Sequence, residues 1–233
     1  MTDHPIVSRS AWLEQRTRLL AKEKELTRLR DQLSAERRAL PWVRVSEPYR
    51  FQGTKGERTL SELFDGRSQL AVYHFMFDPE WDAGCKSCSF WADNFNGIVT
   101  HLAHRDVTMV AISLAPLAKL QAYEKRMGWS FPWYSSFGTS FNADYGVTFS
   151  RNDAEAQRAS YNYGSLTGVK GEMPGVSTFY KNAAGEVFHA YSAYGRGIDT
   201  LNTAYHYLDL VPKGRDEQDL ESPMAWLRRH DEY

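Results

Sequence analysis

QLAVYHFMFDPEWDAGCKSCSFWADNF, residues 69–95, contains an apolar strand, both cysteines of the chain and the beginning of a helix. The first nine residues, 69–77, are apolar or aromatic almost throughout, which is typical of a strand buried inside a sheet. Cys85 and Cys88 follow, separated by Lys86 and Ser87. A strand that leads into Cys-x-x-Cys at the first turn of a helix is an arrangement that makes a thiol reactive.

The order of segments after this stretch predicts a mixed sheet. A second apolar run at 107–114 is followed by a helical segment at 115–128, so that strand, helix, strand and helix alternate. This alternation favours a parallel pair with a right-handed crossover. Near the C terminus, 176–180 and 187–191 flank the turn KNAAG and are typical of a β-hairpin. We therefore expect an α/β fold whose central sheet has helices on both faces.

Residues 8–40 read as one long helix, because they lack Gly and Pro and end at Pro41. Apolar residues recur along it at every seventh position: Trp12, Leu19, Leu26, Leu33 and Leu40. The second heptad position is mostly charged, so a helix laid across its own domain and a dimerisation arm both remain open. We expect a helical arm at 1–41, one domain at 42–215, and a linker with a short helix at 216–233. We also predict a homodimer to which the long helix contributes.

The composition excludes several classes of protein. The 233 residues carry a formal net charge of −1, which gives no electrostatic case for binding nucleic acid or an anionic membrane. No run approaches the ~18 apolar residues of a membrane span, and no apolar core of a secretory signal is visible at the N terminus. Two cysteines do not make a secreted disulfide scaffold, so we expect a cytoplasmic protein. Without a Gly-rich phosphate loop, we expect no bound cofactor.

The Cys pair has the spacing of a redox dithiol. Positions i and i+3 of a helix lie on one face about 5–6 Å apart, within the reach of a disulfide. Amide groups at the helix N terminus and the charge of Lys86 favour the thiolate of Cys85. We expect Cys85 to be the exposed nucleophile and Cys88, one turn further on, to be the resolving thiol.

Zinc binding and two inert thiols are the alternatives. Cys85, Cys88, His101 and His104 have the spacing C-x2-C-x12-H-x2-H, which is close to a zinc-finger pattern. If one helix spans 85–104, its first Cys and first His are about 24 Å apart along the axis, too far for one zinc ion. Only a sharp fold-back at Asn96-Gly97 would bring the four side chains together.

Several blocks carry a resemblance to a known family. GCKSCSFWAD (84–93), MVAISLAPLAKLQAYEKRMGWSFPWYSS (109–136) and GVSTFYKNAAGEVFHAYS (175–192) resemble the bacterial thioredoxin-like family catalogued as domain of unknown function 899. The resemblance covers nearly the whole chain. Members of that family are described as predicted dithiol–disulfide oxidoreductases. The resemblance implies a thioredoxin-like fold and a protein or small-molecule disulfide or thiol as the partner, without naming it.

The middle of the chain also resembles peroxiredoxins, but their motif P-x-x-x-T/S-x-x-C is absent. Asp78 and Asp82 stand where the Pro and the Thr would be, which weakens the expectation of peroxidase activity. Thioredoxins place a Trp directly before their first cysteine. Here Gly84 has that position, and Trp81 lies three residues further back.

The same resemblance suggests two further supporting residues. Pro174 precedes the strand that would face the dithiol, where thioredoxin-like folds have a cis-proline; a trans-proline in a Pro-Gly turn is the alternative. His74 could take the place of the buried acid that handles the proton of the resolving thiol; a core histidine satisfied by its neighbours is the alternative. A thioredoxin-like interaction protein whose thiols rarely turn over also remains open.

Overall fold

The structure is a computed structural model that describes residues 4–156 and 158–233. The α-helices are α1 (Arg9–Arg38), α2 (Lys86–Ala92), α3 (Phe95–His104), α4 (Leu117–Met127), α5 (Phe141–Asp144), α6 (Arg151–Glu155) and α7 (Thr203–Leu208). The strands are β1 (Val43–Arg44), β2 (Arg50–Gly53), β3 (Gly56–Thr59), β4 (Gln69–His74), β5 (Val107–Ser113), β6 (Trp133–Ser135), β7 (Thr148–Phe149), β8 (Ser160–Tyr161), β9 (Leu166–Thr167), β10 (Gly171–Glu172), β11 (Gly175–Lys181) and β12 (Val187–Tyr194). Short 3-10 segments are Glu62–Phe64, Gly195–Leu201 and His230–Glu232. Among these described helices, none has the length and apolar character needed to cross a membrane.

The chain divides into two compact units, Met1–Pro41 and Trp42–Tyr233. The first contains the expected long helix. Ser8 caps α1 by accepting a hydrogen bond from the Ala11 amide at 3.2 Å, and the helix ends before Pro41. No residue described in α1 is buried, and its large apolar side chains are exposed: Trp12, Leu13, Leu19, Leu20, Leu26, Leu29 and Leu33.

The second unit is built on one eight-stranded sheet with the order β1-β12-β11-β4-β5-β6-β2-β3. β4 and β5 are parallel, as expected, because α2 and α3 form the crossover between them. β11 is antiparallel to both β4 and β12, so the predicted hairpin is also confirmed. The order β12-β11-β4-β5, with the dithiol segment after β4, is the thioredoxin-like arrangement. The expected fold class is therefore confirmed.

Alternating side chains of the central strands fill two separate apolar clusters. Tyr73 of β4 and Ala111 of β5 belong to the cluster that includes side chains of α2, α3 and α4. Val72 and Ile112 belong to the other cluster, together with Phe141 of α5. Because successive side chains of a strand point to opposite faces, the two clusters lie on opposite sides of the sheet. Helices therefore pack on both faces, and the Cys segment lies on the Tyr73 side.

The C-terminal part of the chain differs from the prediction. After β12 the chain forms the 3-10 segment Gly195–Leu201 and then α7, where Asn202 caps α7 by accepting from the Tyr205 amide at 2.9 Å. The short helix expected in 216–233 is replaced by turns and a final 3-10 segment. Polar groups of this segment form other hydrogen bonds instead: the carboxylate of Glu217 accepts from the Met224 amide. A side chain that binds a backbone amide competes with the helix for that amide, and the local sequence pattern does not show this competition.

Candidate functional site

Cys85 is the N-cap residue of α2, at the end of the loop that follows β4. Its amide donates to the Met76 carbonyl at 3.1 Å. Its own carbonyl accepts from the amide of Ser89 at 3.0 Å and from the hydroxyl of Ser89 at 2.9 Å. Cys85 is half-buried, whereas Cys88 is 1% exposed. The two thiols are both free, and they differ in the way that the sequence predicts.

Gly84 explains why no large residue stands directly before Cys85. A Cβ atom on Gly84 would lie 2.7 Å from Cε1 of Phe75 and 2.7 Å from Cε1 of Tyr123. Both rings belong to the apolar cluster beneath the loop. The tryptophan that thioredoxins have at this position would not fit here.

The thiol of Cys85 is the more acidic of the two. Its pKa is lowered to about 6, mainly because the Cys88 thiol donates a hydrogen bond to it; burial acts in the opposite direction. The amides of Cys88 and Ser87 and the Ser87 hydroxyl lower the pKa further. Lys86 is exposed and is not among the main causes. Cys85 is therefore mostly a thiolate at neutral pH, held by the first turn of α2.

Cys88 has the opposite character. Burial raises its pKa well above the ordinary value, and the hydrogen bond and negative charge of Cys85 raise it further. The Met76 amide donates to the Cys88 sulfur at 3.4 Å. The hydroxyl of Tyr73 also interacts with this thiol and acts to lower its pKa. Sequence reasoning missed Tyr73, although its position in β4, one residue before His74, places it on the dithiol side.

The structure does not support His74 as a proton acceptor for the resolving thiol. Its ring lies on the opposite side of the sheet, within hydrogen-bond distance of the Ser177 hydroxyl at 2.8 Å and against the rings of Phe141 and Tyr145. Burial lowers the pKa of His74 to about 3, with a smaller contribution from His189. The reason is the two-residue period of the strand: Tyr73 faces Cys88 and His74 cannot.

Trp81 and Pro174 lie in loops on the dithiol side. Trp81 is 37% exposed, and its carbonyl accepts from Nζ of Lys119 at 2.9 Å. The peptide bond before Pro174 is trans, as are all peptide bonds in the described part of the chain, so of the two alternatives for Pro174 the structure has the trans-proline. Pro174 and Cys88 nevertheless line one common cavity.

The four side chains of the zinc alternative are not brought together. The helical run breaks at Asp93-Asn94, between α2 and α3, rather than at Asn96-Gly97. His101 and His104 lie exposed in the last turn of α3, away from the N terminus of α2. Residues 4–156 and 158–233 contain no group of three or more side chains that could hold a metal ion.

A chain of hydrogen bonds fixes the backbone on both sides of Cys85. Arg229 donates from Nη2 to the Gly84 carbonyl at 2.9 Å and from Nε to the Tyr123 hydroxyl at 2.8 Å. The Tyr123 and Ser89 hydroxyls are 2.9 Å apart, and Ser89 in turn donates to the Cys85 carbonyl. Arg229 and Tyr123 are 106 positions apart in the sequence. No local motif could have revealed this contact.

A cavity of about 640 Å³ lies against Cys88 and Pro174. Its walls come from α2, from the segment after β12 and from the C-terminal segment. It is lined by Tyr73, Met76, Ser87, Cys88, Trp91, Pro174, Gly195, Arg196, Ile198, Asp199, Tyr205, Asp209, Arg215, Glu217, Pro223 and Met224. A small molecule bound there would lie beside the dithiol.

Solved structures similar to this chain include several peroxiredoxins. Peroxidoxin BcpB from Mycobacterium tuberculosis has 15% sequence identity and a TM-score of 0.43, and the match covers 68% of this chain and 94% of that one. The mitochondrial 2-Cys peroxiredoxin from Plasmodium falciparum has 11% identity and a TM-score of 0.44, over 73% and 95% of the two chains. The bacterioferritin comigratory protein of Xanthomonas campestris has 14% identity and a TM-score of 0.42, over 68% and 90%. The expected distant similarity to peroxiredoxins is thus found.

A search of curated proteins finds no match. A family model described as "Bacterial protein of unknown function (DUF899)" matches residues 1–233, the whole chain, and agrees with the family resemblance of the Cys-x-x-Cys block. The chain therefore belongs to the DUF899 family of bacterial proteins.

Proposed function

We propose that this protein is a thiol–disulfide oxidoreductase in which Cys85 is the nucleophile and Cys88 the resolving thiol. The observation that supports it most directly is the inequality of the pair. Cys85 is partly exposed at the N terminus of α2 with a lowered pKa, while Cys88 is buried in hydrogen-bond contact with it. Two inert neighbouring thiols would need neither the amide donors nor the fixed loop.

The reaction consists of two exchanges. The Cys85 thiolate forms a bond to one sulfur of a substrate disulfide as the substrate S–S bond breaks, and the first substrate thiol leaves with a proton from water. The Cys88 sulfur, after losing its proton, then displaces the second substrate thiol from Cys85. The substrate gains two electrons and two protons, and the protein becomes a Cys85–Cys88 disulfide.

The environment of Cys88 delays the second exchange until the first is complete. In the free dithiol, burial, the hydrogen bond to Cys85 and the charge of Cys85 all raise the pKa of Cys88. A mixed disulfide at Cys85 removes the last two causes, while the Met76 amide and Tyr73 hydroxyl still favour the Cys88 thiolate. The resolving thiol therefore becomes reactive only when there is a mixed disulfide to resolve.

Peroxide is a less suitable substrate for this site. Asp78 and Asp82 occupy the positions of the motif residues that orient peroxide next to the reactive sulfur in peroxiredoxins. Asp78 instead accepts a hydrogen bond from the Glu80 amide at 2.8 Å and forms part of the loop.

We place the reaction in the cytoplasm, because two cysteines in 233 residues suit a reducing compartment better than a secreted scaffold.

Trapping of mixed disulfides tests this function. The Cys88→Ser variant should accumulate adducts at Cys85, because the resolving step is lost, and the Cys85→Ser variant should accumulate none. The double variant is the control for non-specific binding. Redox titration of the wild-type pair should give a potential within the range of about −120 to −270 mV of known oxidoreductases. Adducts on Cys85→Ser but not on Cys88→Ser would contradict the assignment of roles.

A further inference from the structure

The cavity beside Cys88 has the volume and the apolar lining that are typical of a small-molecule site. Its volume of about 640 Å³ lies within the range of about 300–1,000 Å³ that is usual for pockets of small organic ligands. Apolar and aromatic side chains form much of its surface: Tyr73, Met76, Trp91, Ile198, Pro223 and Met224. Such a surface suits the methylene and sulfur atoms of a small disulfide.

The two arginines of the cavity already have carboxylate partners. Arg215 donates from Nε and Nη2 to Asp209 at 2.8 and 2.9 Å, and from Nη1 to Asp199 at 3.3 Å. Its guanidinium also lies 3.9 Å from the centre of the Tyr205 ring. Arg196 pairs with Asp199 at 3.2 Å. An anionic ligand would have to compete with these carboxylates for either arginine.

Glu217 is the carboxylate of the lining that no cationic side chain reaches at hydrogen-bond distance. Its Oε1 accepts from the Tyr205 hydroxyl at 2.7 Å, from Nε1 of Trp226 at 2.7 Å and from the Met224 amide at 3.0 Å. All three donors are neutral, and no ion pair of Glu217 occurs within residues 4–156 and 158–233. Burial acts to raise the pKa of Glu217, but these hydrogen bonds and, to a smaller extent, the charge of Arg215 outweigh it, and the pKa is lowered.

The charges of the cavity therefore favour a cationic ligand. Three carboxylates face two guanidinium groups in the lining, so the sum is one negative charge. Both aspartates form ion pairs with the arginines, whereas Glu217 forms none and feels Arg215 only at longer range. The Oε2 atom of Glu217 accepts no hydrogen bond from the described residues, while Oε1 fixes the orientation of the carboxylate. An ammonium group can bind Oε2 without displacing any existing partner.

We propose that this cavity binds a low-molecular-weight disulfide that carries primary ammonium groups, with Glu217 as the group that recognises the ammonium. The inference rests on the proposed oxidoreductase function and names its substrate class. The ligand chain lies along the apolar side chains of the lining, with its S–S bond at the Cys88 wall, where the Cys88 thiol is in hydrogen-bond contact with the Cys85 thiolate. Cys85 attacks, one aminothiol leaves, and Cys88 releases the second, so that one disulfide yields two aminothiols and the protein is oxidised by two electrons.

Binding can be measured without any redox step. Hexamethylenediamine has the same number of chain atoms as cystamine but no disulfide, and hexanediol is its neutral counterpart. Calorimetry with the full-length protein should show the diamine binding about tenfold more tightly than the diol, which is the effect expected for one charge-assisted hydrogen bond. Glu217→Gln should abolish the difference. Asp219→Asn, which removes an exposed carboxylate outside the cavity, should leave it unchanged.

Single-turnover oxidation of the reduced protein tests the substrate class. Cystamine and bis(hydroxyethyl) disulfide are compared, each rate being divided by the rate of the same disulfide with dithiothreitol. We expect a normalised preference of about tenfold for cystamine in the wild type and in Asp219→Asn, and none in Glu217→Gln.

The outcomes separate the two proposals. Reaction with neither disulfide, together with selective diamine binding, would overturn the oxidoreductase function and the substrate class, and would leave a cation site. Reaction with both disulfides at equal normalised rates, with equal affinities for diamine and diol, would overturn this inference while the oxidoreductase function stands.

Discussion

The opposite pKa shifts of the two cysteines arise from contacts of single side chains. Cys85 receives donors from the first turn of α2, and the buried Cys88 receives the Met76 amide and the Tyr73 hydroxyl. The sequence predicts which thiol is exposed, because the N terminus of a helix can be located from the pattern. It does not predict Tyr73 as the partner, because the resemblance pointed to His74 and the register of β4 decides between the two.

Replacing Tyr73 by Phe should slow the resolving step by about tenfold, because a hydrogen bond to a charged group is lost. The aromatic ring is kept, so its packing against Phe75 and Phe95 should persist. The measurement is the lifetime of the mixed disulfide at Cys85 after a stoichiometric pulse of substrate disulfide. Tyr145→Phe, on the other side of the sheet, is the control. An unchanged lifetime in Tyr73→Phe would remove the hydroxyl from the mechanism.

Gly84→Ala should destabilise the fold by about 1–3 kcal/mol, because the added methyl group overlaps two rings at 2.7 Å. Gly97→Ala is a matched control in α3, where the added Cβ has no atom within 4 Å. That change should stabilise the protein by up to about 1 kcal/mol through helix propensity. Urea unfolding of both variants gives the comparison. Equal effects of the two substitutions would show that the loop is not tightly packed.

The central elements of the fold could be predicted because their signals are local. Apolar runs locate β4 and β5, and the turn between β11 and β12 is marked by small and polar residues. The C-terminal segment could not be predicted, because its conformation depends on Glu217 and Arg229, whose partners include groups distant in sequence. If the helix that the pattern predicts were to form in this segment, these contacts would be lost.

Three adjacent strands share a buried polar chain on the face away from the dithiol. His74 of β4 contacts the Ser177 hydroxyl of β11, which contacts the Ser192 hydroxyl of β12, each at 2.8 Å. Nε2 of His189 lies 2.7 Å from the Ser192 hydroxyl. Burial lowers the pKa of both histidines, so each is neutral in the folded protein at neutral pH.

The free energy of unfolding should therefore fall as the pH falls from about 6.5 towards 3. The pKa of His74 is about 3 in the folded protein against an ordinary 6.5, so the unfolded chain binds the proton first. Each such proton contributes up to about 1.4 kcal/mol per pH unit. His74→Gln should reduce this slope, whereas His101→Gln, an exposed control, should not. Equal slopes in wild type and His74→Gln would contradict a buried neutral His74.

At the scale of the whole molecule, α1 has an apolar stripe with a repeat of seven residues, and none of the helix residues is buried. Helix 9–38 has 30 residues, or about 45 Å at the usual rise per residue. A second copy of the same stripe is a suitable partner, since the repeat of seven residues is that of helices that pair. We therefore keep the homodimer as a proposal.

Leu19→Glu combined with Leu26→Glu should convert the dimer into a monomer, because a charge at each site would be buried in the interface. Sedimentation at micromolar concentration measures the change. Lys24→Glu alters the charge on the same helix outside the heptad stripe and should leave the dimer intact. A wild-type protein that sediments as a monomer would refute the proposal.

The central claim is that Cys85 and Cys88 are a nucleophile and a resolving thiol, and the pH dependence of their alkylation tests it most directly. Iodoacetamide labelling of the reduced full-length protein, followed by peptide mass spectrometry, gives a separate rate for each cysteine. The rate at Cys85 should rise with a midpoint at pH about 6, as its pKa indicates, and Cys88→Ala should move that midpoint upward by removing the main hydrogen-bond donor. Cys88 should remain nearly unlabelled. Equal rates at the two cysteines, with both midpoints near the value of about 8.5 for a free thiol, would contradict the account.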